Sequence, residues 1–295
     1  MRLIVPGAAG SGTDIAARLI SQYLAKSFGQ PFVVDNKPGA NGMLGIAQAA
    51  KAPNDGYTLL FSYGAAQVVN QSLYPNCPYD GDKDFEAIAQ VGAGGNLLVV
   101  PVGLSVNNLQ EFIAYVKSKP ADSLSYGSWG NGSGGHLSME ALKIATGIRI
   151  THIPYRSAAE SNTALMAGQI EAGFSAMATA LPLIQGGKLK AIAVSSPYTV
   201  QQLPLVKTMT EQGVKFDVSA WYGLFAPKGT PRAIVNAVNA QVNALLKDPA
   251  KAQRIRGVLG LDTLPIRTPE EFQQQVRDDI RDWGDVVRKA NIKIE

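Results

Sequence analysis

The chain has 295 residues, 46% hydrophobic and 17% charged, with 27 Lys and Arg against 23 Asp and Glu. This length predicts two domains rather than one core, and the mild, scattered positive balance argues against nucleic-acid binding while suiting small anions. Cys77 is the single cysteine, and His136 and His152 are the only histidines, so an intrachain disulfide and a cysteine metal cluster are excluded and a zinc site would lack ligands.

In chain order, residues 3–5 read as a strand. A loop of small residues follows, and residues 14–28 carry Ile15, Leu19, Leu24 and Phe28 at helical spacing. Residues 32–35 are expected to be a strand, Pro38-Gly-Ala-Asn-Gly42 a turn, and the stretch to Lys51 a helix. Pro53-Asn-Asp-Gly56 is a second turn before a strand at residues 57–62. Residues 84–101 form one long extended segment, broken by Gly92, Gly94 and Gly95. The order then restarts: helix 109–119, strand 124–127, a second loop of small residues, and a helix to Thr146 with Gly147 as its C-cap. Strands at 150–153, 171–174 and 189–194 alternate with helices at 157–167 and 179–185. Residues 218–225 are extended again. Pro231 opens helical pattern that continues to the end, with a strand expected at 262–264 and a last helix over 269–290.

The repeated strand–helix order predicts a mostly parallel α/β sheet flanked by helices. The extended passages near residues 90–102 and 217–226 are candidate crossovers. The first domain is therefore expected to be discontinuous, residues 1–101 and 221–295, with the second, residues 102–220, inserted. A ligand cleft is expected between them, at the carboxyl ends of the strands. The chain contains no signal peptide. Met1 sits directly on strand-like residues, as in a mature chain whose leader has been replaced by an initiator Met.

Two stretches carry the chemistry. Leu3-Ile-Val-Pro-Gly-Ala-Ala-Gly-Ser-Gly-Thr-Asp-Ile15 runs from a strand through a small-residue loop into a helix. Tyr126-Gly-Ser-Trp-Gly-Asn-Gly-Ser-Gly-Gly-His-Leu137 has the same plan. Backbone N–H groups in such a loop, backed by a helix N-terminus, suit an anion. Gly130, Gly132 and Gly135 also match the dinucleotide fingerprint. The acidic ribose partner is missing, and Arg156 stands near that place, so a nicotinamide-dependent oxidoreductase stays open as an alternative. No catalytic constellation is visible. His136 and Asp14 are read as capping or packing residues before they are read as bases, and no residue is predicted to be catalytic or to bind a metal or cofactor. Arg156 suits bidentate pairing with a carboxylate, and Trp129 and Trp221 are candidate walls, Trp221 the likelier core residue.

These motifs resemble a known family. Pro6-Gly-Ala-Ala-Gly-Ser-Gly-Thr-Asp14, Asp35-Asn-Lys-Pro-Gly-Ala-Asn-Gly42, Pro53-Asn-Asp-Gly-Tyr-Thr-Leu59, Tyr126-Gly-Ser128 with His136-Leu137, His152-Ile-Pro-Tyr155, Gly186-Gly-Lys-Leu-Lys190 and Trp221-Tyr-Gly-Leu-Phe-Ala-Pro227 occur in the family's order. The chain is similar to the Bug family of periplasmic solute receptors of tripartite tricarboxylate transporters. The resemblance implies a two-lobed, type II-like periplasmic binding fold. It implies no catalysis, a carboxylate ligand, a periplasmic monomer, and a two-component membrane permease as partner. A ligand-sensing receptor on the same fold is a further alternative. Carried over, the ligand residues are Ala9, Ser11, Thr13 and Asp14 from the first loop and Ser128, Asn131 and Ser133 from the second. Gly7, Ala8, Tyr63, Trp129, Tyr155, Arg156, Ser175 and Ala176 complete the expected set.

Three departures from the family pattern shape the ligand expectation. Gly7 stands where Phe is common and is expected to open space. Ser175-Ala176 lacks a common Asp, and Arg156 replaces Lys or another residue. A bulky, even aromatic, dicarboxylate such as terephthalate is the expected ligand.

Overall fold

The computed structural model describes residues 1–216 and 219–290. Val218, expected to begin the second extended passage, lies outside them, as do residues 291–295 of the expected first domain. The chain divides into two compact units. The first holds Met1–Ala93, Trp221–Leu259 and Thr263 onward, and the second holds Gly94–Ala220 and Gly260–Asp262.

The first unit contains strands β1 (Arg2–Val5), β2 (Val33–Asn36), β3 (Thr58–Tyr63), the first half of β4 (Phe85–Pro101), and β9 (Ser219–Pro227). Its helices are α1 (Gly12–Phe28), α2 (Met43–Ala50), α3 (Asn70–Leu73), α8 (Arg232–Lys247), α9 (Pro249–Leu259) and α10 (Pro269–Ala290). The second unit contains the rest of β4, with β5 (Ser125–Ser128), β6 (Thr151–Pro154), β7 (Ala172–Ala176) and β8 (Leu189–Val194). Its helices are α4 (Leu109–Lys117), α5 (Gly134–Thr146), α6 (Ala158–Met166) and α7 (Met177–Gln185).

The sheet of the first unit runs in the order β2-β1-β3-β9-β4. β1 pairs parallel with β2 and β3, and β3 pairs antiparallel with β9 through Tyr63 opposite Tyr222. In the second unit β5 lies parallel to β6 and β7, while β4 is antiparallel to β7 and β8. Each sheet is thus mixed, not mostly parallel as expected. The βα repeats give the parallel pairs, and pairing with the long strands β4 and β9 gives the antiparallel ones. The expected strand at 262–264 is a single bridge, Thr263 to Ala93.

The glycines of β4 do not break it. A Cβ on Gly94 would lie 2.8 Å from the Gly260 carbonyl oxygen, and one on Gly95 2.6 Å from Val194. These positions are glycine because neighbouring chain approaches closely. Beyond them, Leu98 and Val100 join a core with Phe112, Tyr126 and Phe174, whereas Leu97 and Val99 join another with Leu165, Leu181 and Leu189. Alternate residues point to opposite faces, so a strand buried on both reads as a continuous apolar run.

In the first unit α10 closes the core. Phe272 is fully buried, edge-on to Trp221 at 5.4 Å and 5.2 Å from Phe225, and Trp221 Nε1 donates to Asp279 at 2.6 Å. Trp221 is therefore a core residue. Gly223 lacks a side chain because a Cβ there would meet the Phe272 ring at 2.4 Å. Phe272→Ala removes the ring this surface is shaped around and is expected to cost about 3–5 kcal/mol, read as a lower urea midpoint.

Candidate functional site

The first loop is shaped by reciprocal bonds at the start of α1. Ser11 is the N-cap, its Oγ accepting from the Asp14 amide at 3.2 Å. Asp14 reaches back: it accepts from the Gly10 amide at 2.9 Å, from Asn36 Nδ2 at 3.0 Å and from Arg18 Nε at 3.0 Å. Asn36 also donates to the Gly7 carbonyl at 2.9 Å, so one carboxylate and one amide hold both ends of the loop. Burial raises the Asp14 pKa, but the bonds from Arg18, Gly10 and Asn36, with the Arg18 charge, outweigh it and leave the carboxyl below its usual value. Asp14 is a latch within the loop.

The second loop repeats this plan with one chemical change. Ser133 caps α5, its Oγ accepting from the His136 amide at 3.3 Å, and His136 Nδ1 accepts from the Gly132 amide at 3.0 Å. Gly10 and Gly132 both take left-handed φ, 78° and 71°. The shared pattern is Gly-Ser-Gly-x-Asp in residues 10–14 and Gly-Ser-Gly-x-His in residues 132–136. Each is a variant of the capping box with its reach extended by one residue. The amides of Gly12 and Thr13, and of Gly134 and Gly135, lie in the first turns of their helices, where no helical partner exists.

Beneath the second loop lies a stack that sequence reasoning missed. His136 and His152 are parallel, 4.0 Å apart and 5° from coplanar, and Tyr126 stacks on His152 at 4.9 Å. Glu140 accepts from Tyr126 Oη and Lys143. Ser128 Oγ is 2.7 Å from His152 Nε2 and accepts from the Gly130 amide. Burial pushes His152 down to about 3, with His136 and Lys143 adding to the shift, and it lowers His136 also. Both rings are neutral at pH 7. The signal available in sequence was the Gly-Ser-Gly-x-[Asp or His] match between the loops; the partnership with His152, sixteen residues on, carried none.

The other expected residues fall as follows. Ser128 and Ser133 are fully buried, and their hydroxyls are engaged within the loop. Thr13 is buried, while Ala9 is exposed. Asn131 is half-buried. Trp129 lies on its own helix start, where a Cβ on Gly135 would be 2.6 Å from its ring. Tyr155 is half-buried beside Gly127. Arg156 is exposed, and among the described residues its guanidinium has no partner. Ser175 is buried and bonded to Thr179 at 3.2 Å, and Ala176 precedes α7. Gly7 does not open space as expected: a Cβ there would lie 2.5 Å from Ser11 Oγ and 3.3 Å from Thr13 Cβ, so those side chains fill the position. Two amides that a pyrophosphate would use in residues 130–135, those of Gly130 and Gly132, are already donating inside the loop.

The TctC family, the tripartite tricarboxylate transporter family receptor, matches residues 16–292. The chain belongs to this family. BugT of Bordetella pertussis is 33% identical over all of this chain and 90% of its own length. The structure of R. palustris Rpa4515 with adipate has a TM-score of 0.94 at 31% identity, covering 99% of this chain and 97% of that one. MatC from Rhodopseudomonas palustris with bound malate has a TM-score of 0.89 at 33% identity, covering 97% and 98%. This TctC-family receptor therefore has the mixed α/β fold of the periplasmic solute-binding proteins. Among the described residues no helix is long and apolar enough to cross a membrane.

Two outcomes follow for the loops of the receptor. Asp14→Ala strands the Gly10 and Asn36 donors and is expected to cost about 1–3 kcal/mol in chemical unfolding. For the histidines, the unfolded rings take a proton near 6.5 and the folded ones resist it, so the unfolded state binds more protons. Their contribution is complete above pH 6.5 and falls as pH drops below it, for His152 down to about 3 and by up to about 1.4 kcal/mol per pH unit. Unfolding midpoints between pH 7 and pH 4 should fall accordingly, and His152→Gln should flatten the slope.

Proposed function

We propose that this protein captures a small carboxylate in the periplasm and delivers it to a two-component membrane permease, without catalysis. The observation that carries the reading is the twin loop. In each, side chains fix the loop's shape and leave first-turn amides facing the positive end of a helix dipole, a combination that favours an anion. The amides of Gly12 and Thr13 in the first loop, and those of Gly134 and Gly135 behind residues 128–133 in the second, are proposed as donors to a carboxylate. Each charge-assisted bond is worth about 1.5–3 kcal/mol, so a few suffice for micromolar affinity after ordering costs. The ligands that Rpa4515 and MatC hold, adipate and malate, support a carboxylate here.

Arg156 extends the reading to a dicarboxylate. Its unpartnered guanidinium suits a second acid group, and Trp129 suits an apolar or aromatic body. Terephthalate is the rigid example.

Titration calorimetry with adipate, malate, terephthalate, benzoate and NAD tests this. At least one carboxylate is expected to bind at micromolar or tighter Kd, and NAD not at all. Gly12→Pro removes one first-turn amide at a position where proline suits a helix, and Ser11, at φ −70° and ψ 161°, already has the conformation that precedes proline. It should weaken binding about tenfold or more while leaving the melting temperature nearly unchanged. Arg156→Ala should weaken terephthalate by a similar factor and spare benzoate. Equal losses for both would remove the dicarboxylate reading.

A further inference from the structure

A hydrogen-bond chain in the first unit ends at a tyrosine whose remaining capacity has only one direction. Its starting points are two backbone carbonyls, which can only accept. Tyr79 Oη donates to the Ala66 carbonyl, so it accepts from Asn70 Nδ2 at 2.9 Å. Asn70 Nδ2 also donates to the Asn41 carbonyl at 3.0 Å, which fixes the orientation of the Asn70 amide. Asn70 Oδ1 must then accept, and Asn41 Nδ2 donates to it at 2.8 Å. That turns Asn41 Oδ1 toward Tyr63, whose hydroxyl donates at 3.2 Å. The Tyr63 hydrogen is committed. Toward anything else its oxygen can only accept.

Tyr222 lies directly across the β3–β9 ladder from Tyr63. Both are half-buried, and the Tyr222 hydroxyl has no protein partner among the described residues. It is free to donate. Burial raises both phenols, Tyr222 to about 12, so neither ionises near neutral pH. The chain is held in a backbone run of left-handed residues, Ala40 at φ 47°, Asn41 at 49° and Gly42 at 84°. Gly42 joins it to the first loop: a Cβ there would lie 3.0 Å from Pro6 Cβ, 3.2 Å from Ala66 Cβ and 3.4 Å from Tyr63 Oη.

An acceptor beside a donor matches a hydroxyl group. We propose that Tyr63 and Tyr222 read a hydroxyl on the carboxylate ligand, whose O–H donates to the Tyr63 oxygen while its oxygen accepts from the Tyr222 hydroxyl. The favoured ligand class is then a hydroxycarboxylate. A carboxylate or ether oxygen at this position offers only lone pairs and meets those of Tyr63. The inference rests on the carboxylate reading above and adds the second recognition element to it.

Titration calorimetry with two matched pairs, succinate against malate and terephthalate against 2-hydroxyterephthalate, decides it. The unaltered protein is expected to favour the hydroxylated member of at least one pair by about tenfold or more. Tyr222→Phe and Tyr63→Phe should each bring that ratio within about threefold, with the unhydroxylated member changed by less than about twofold. Tyr222→Phe is the deciding variant, because it removes a hydroxyl that bonds to no protein group among the described residues and leaves the Asn41 chain intact. Binding of both members without preference overturns the subsite alone, as does an equal loss of both in Tyr222→Phe. Absence of binding by every carboxylate overturns the carboxylate reading and this inference with it.

Discussion

At the start of α1 and of α5, a serine hydroxyl caps the helix while the third helical side chain turns back to hold a glycine amide. These four bonds determine what each loop can offer. Every polar side chain that shapes a loop is consumed in doing so: Ser11 with the Asp14 amide, Ser133 with the His136 amide, Ser128 with His152. What remains is backbone, the first-turn amides that a helix cannot satisfy for itself. In the proposed reading, a loop built in this way recognises charge and geometry, and the side chains around it are left to distinguish one anion from another.

The two loops differ in the group that turns back. Asp14 is anionic and needs Arg18 and Asn36 to compensate its burial. His136 does the same work without charge, using the Nδ1 lone pair, and burial, helped by the Lys143 charge, keeps it neutral. An aspartate at that position would set a negative charge beside the amides proposed to hold an anion. The neutral ring gives the same cap without that repulsion, at the cost of a loop whose acceptor disappears when the ring is protonated.

Glycine has different reasons at different places in this chain. Gly10 and Gly132 need left-handed backbone, Gly94 and Gly95 admit neighbouring chain, and Gly7 makes room for Ser11. All are the same letter in the sequence. That is why the interruptions expected in β4 do not occur, and why Gly7 could be misread as open space. Equally, the apolar residues of β4 could be recognised as a strand, but the assignment of Leu97 and Leu98 to opposite cores depends on helices that come later in the chain.

By itself the sequence determined what local chemistry determines. The strand–loop–helix units, the cap at Gly147 and the family motifs all follow from neighbours within a few residues, where capping and periodicity act. Only the tertiary structure decided which partners meet across longer separations. Asn36 comes to Asp14 because β2 pairs with β1, and His152 comes to Ser128 because β6 pairs with β5. Tyr222 comes to Tyr63 because β9 returns antiparallel to β3. Such meetings are set by strand register, which residue spacing along the chain does not encode.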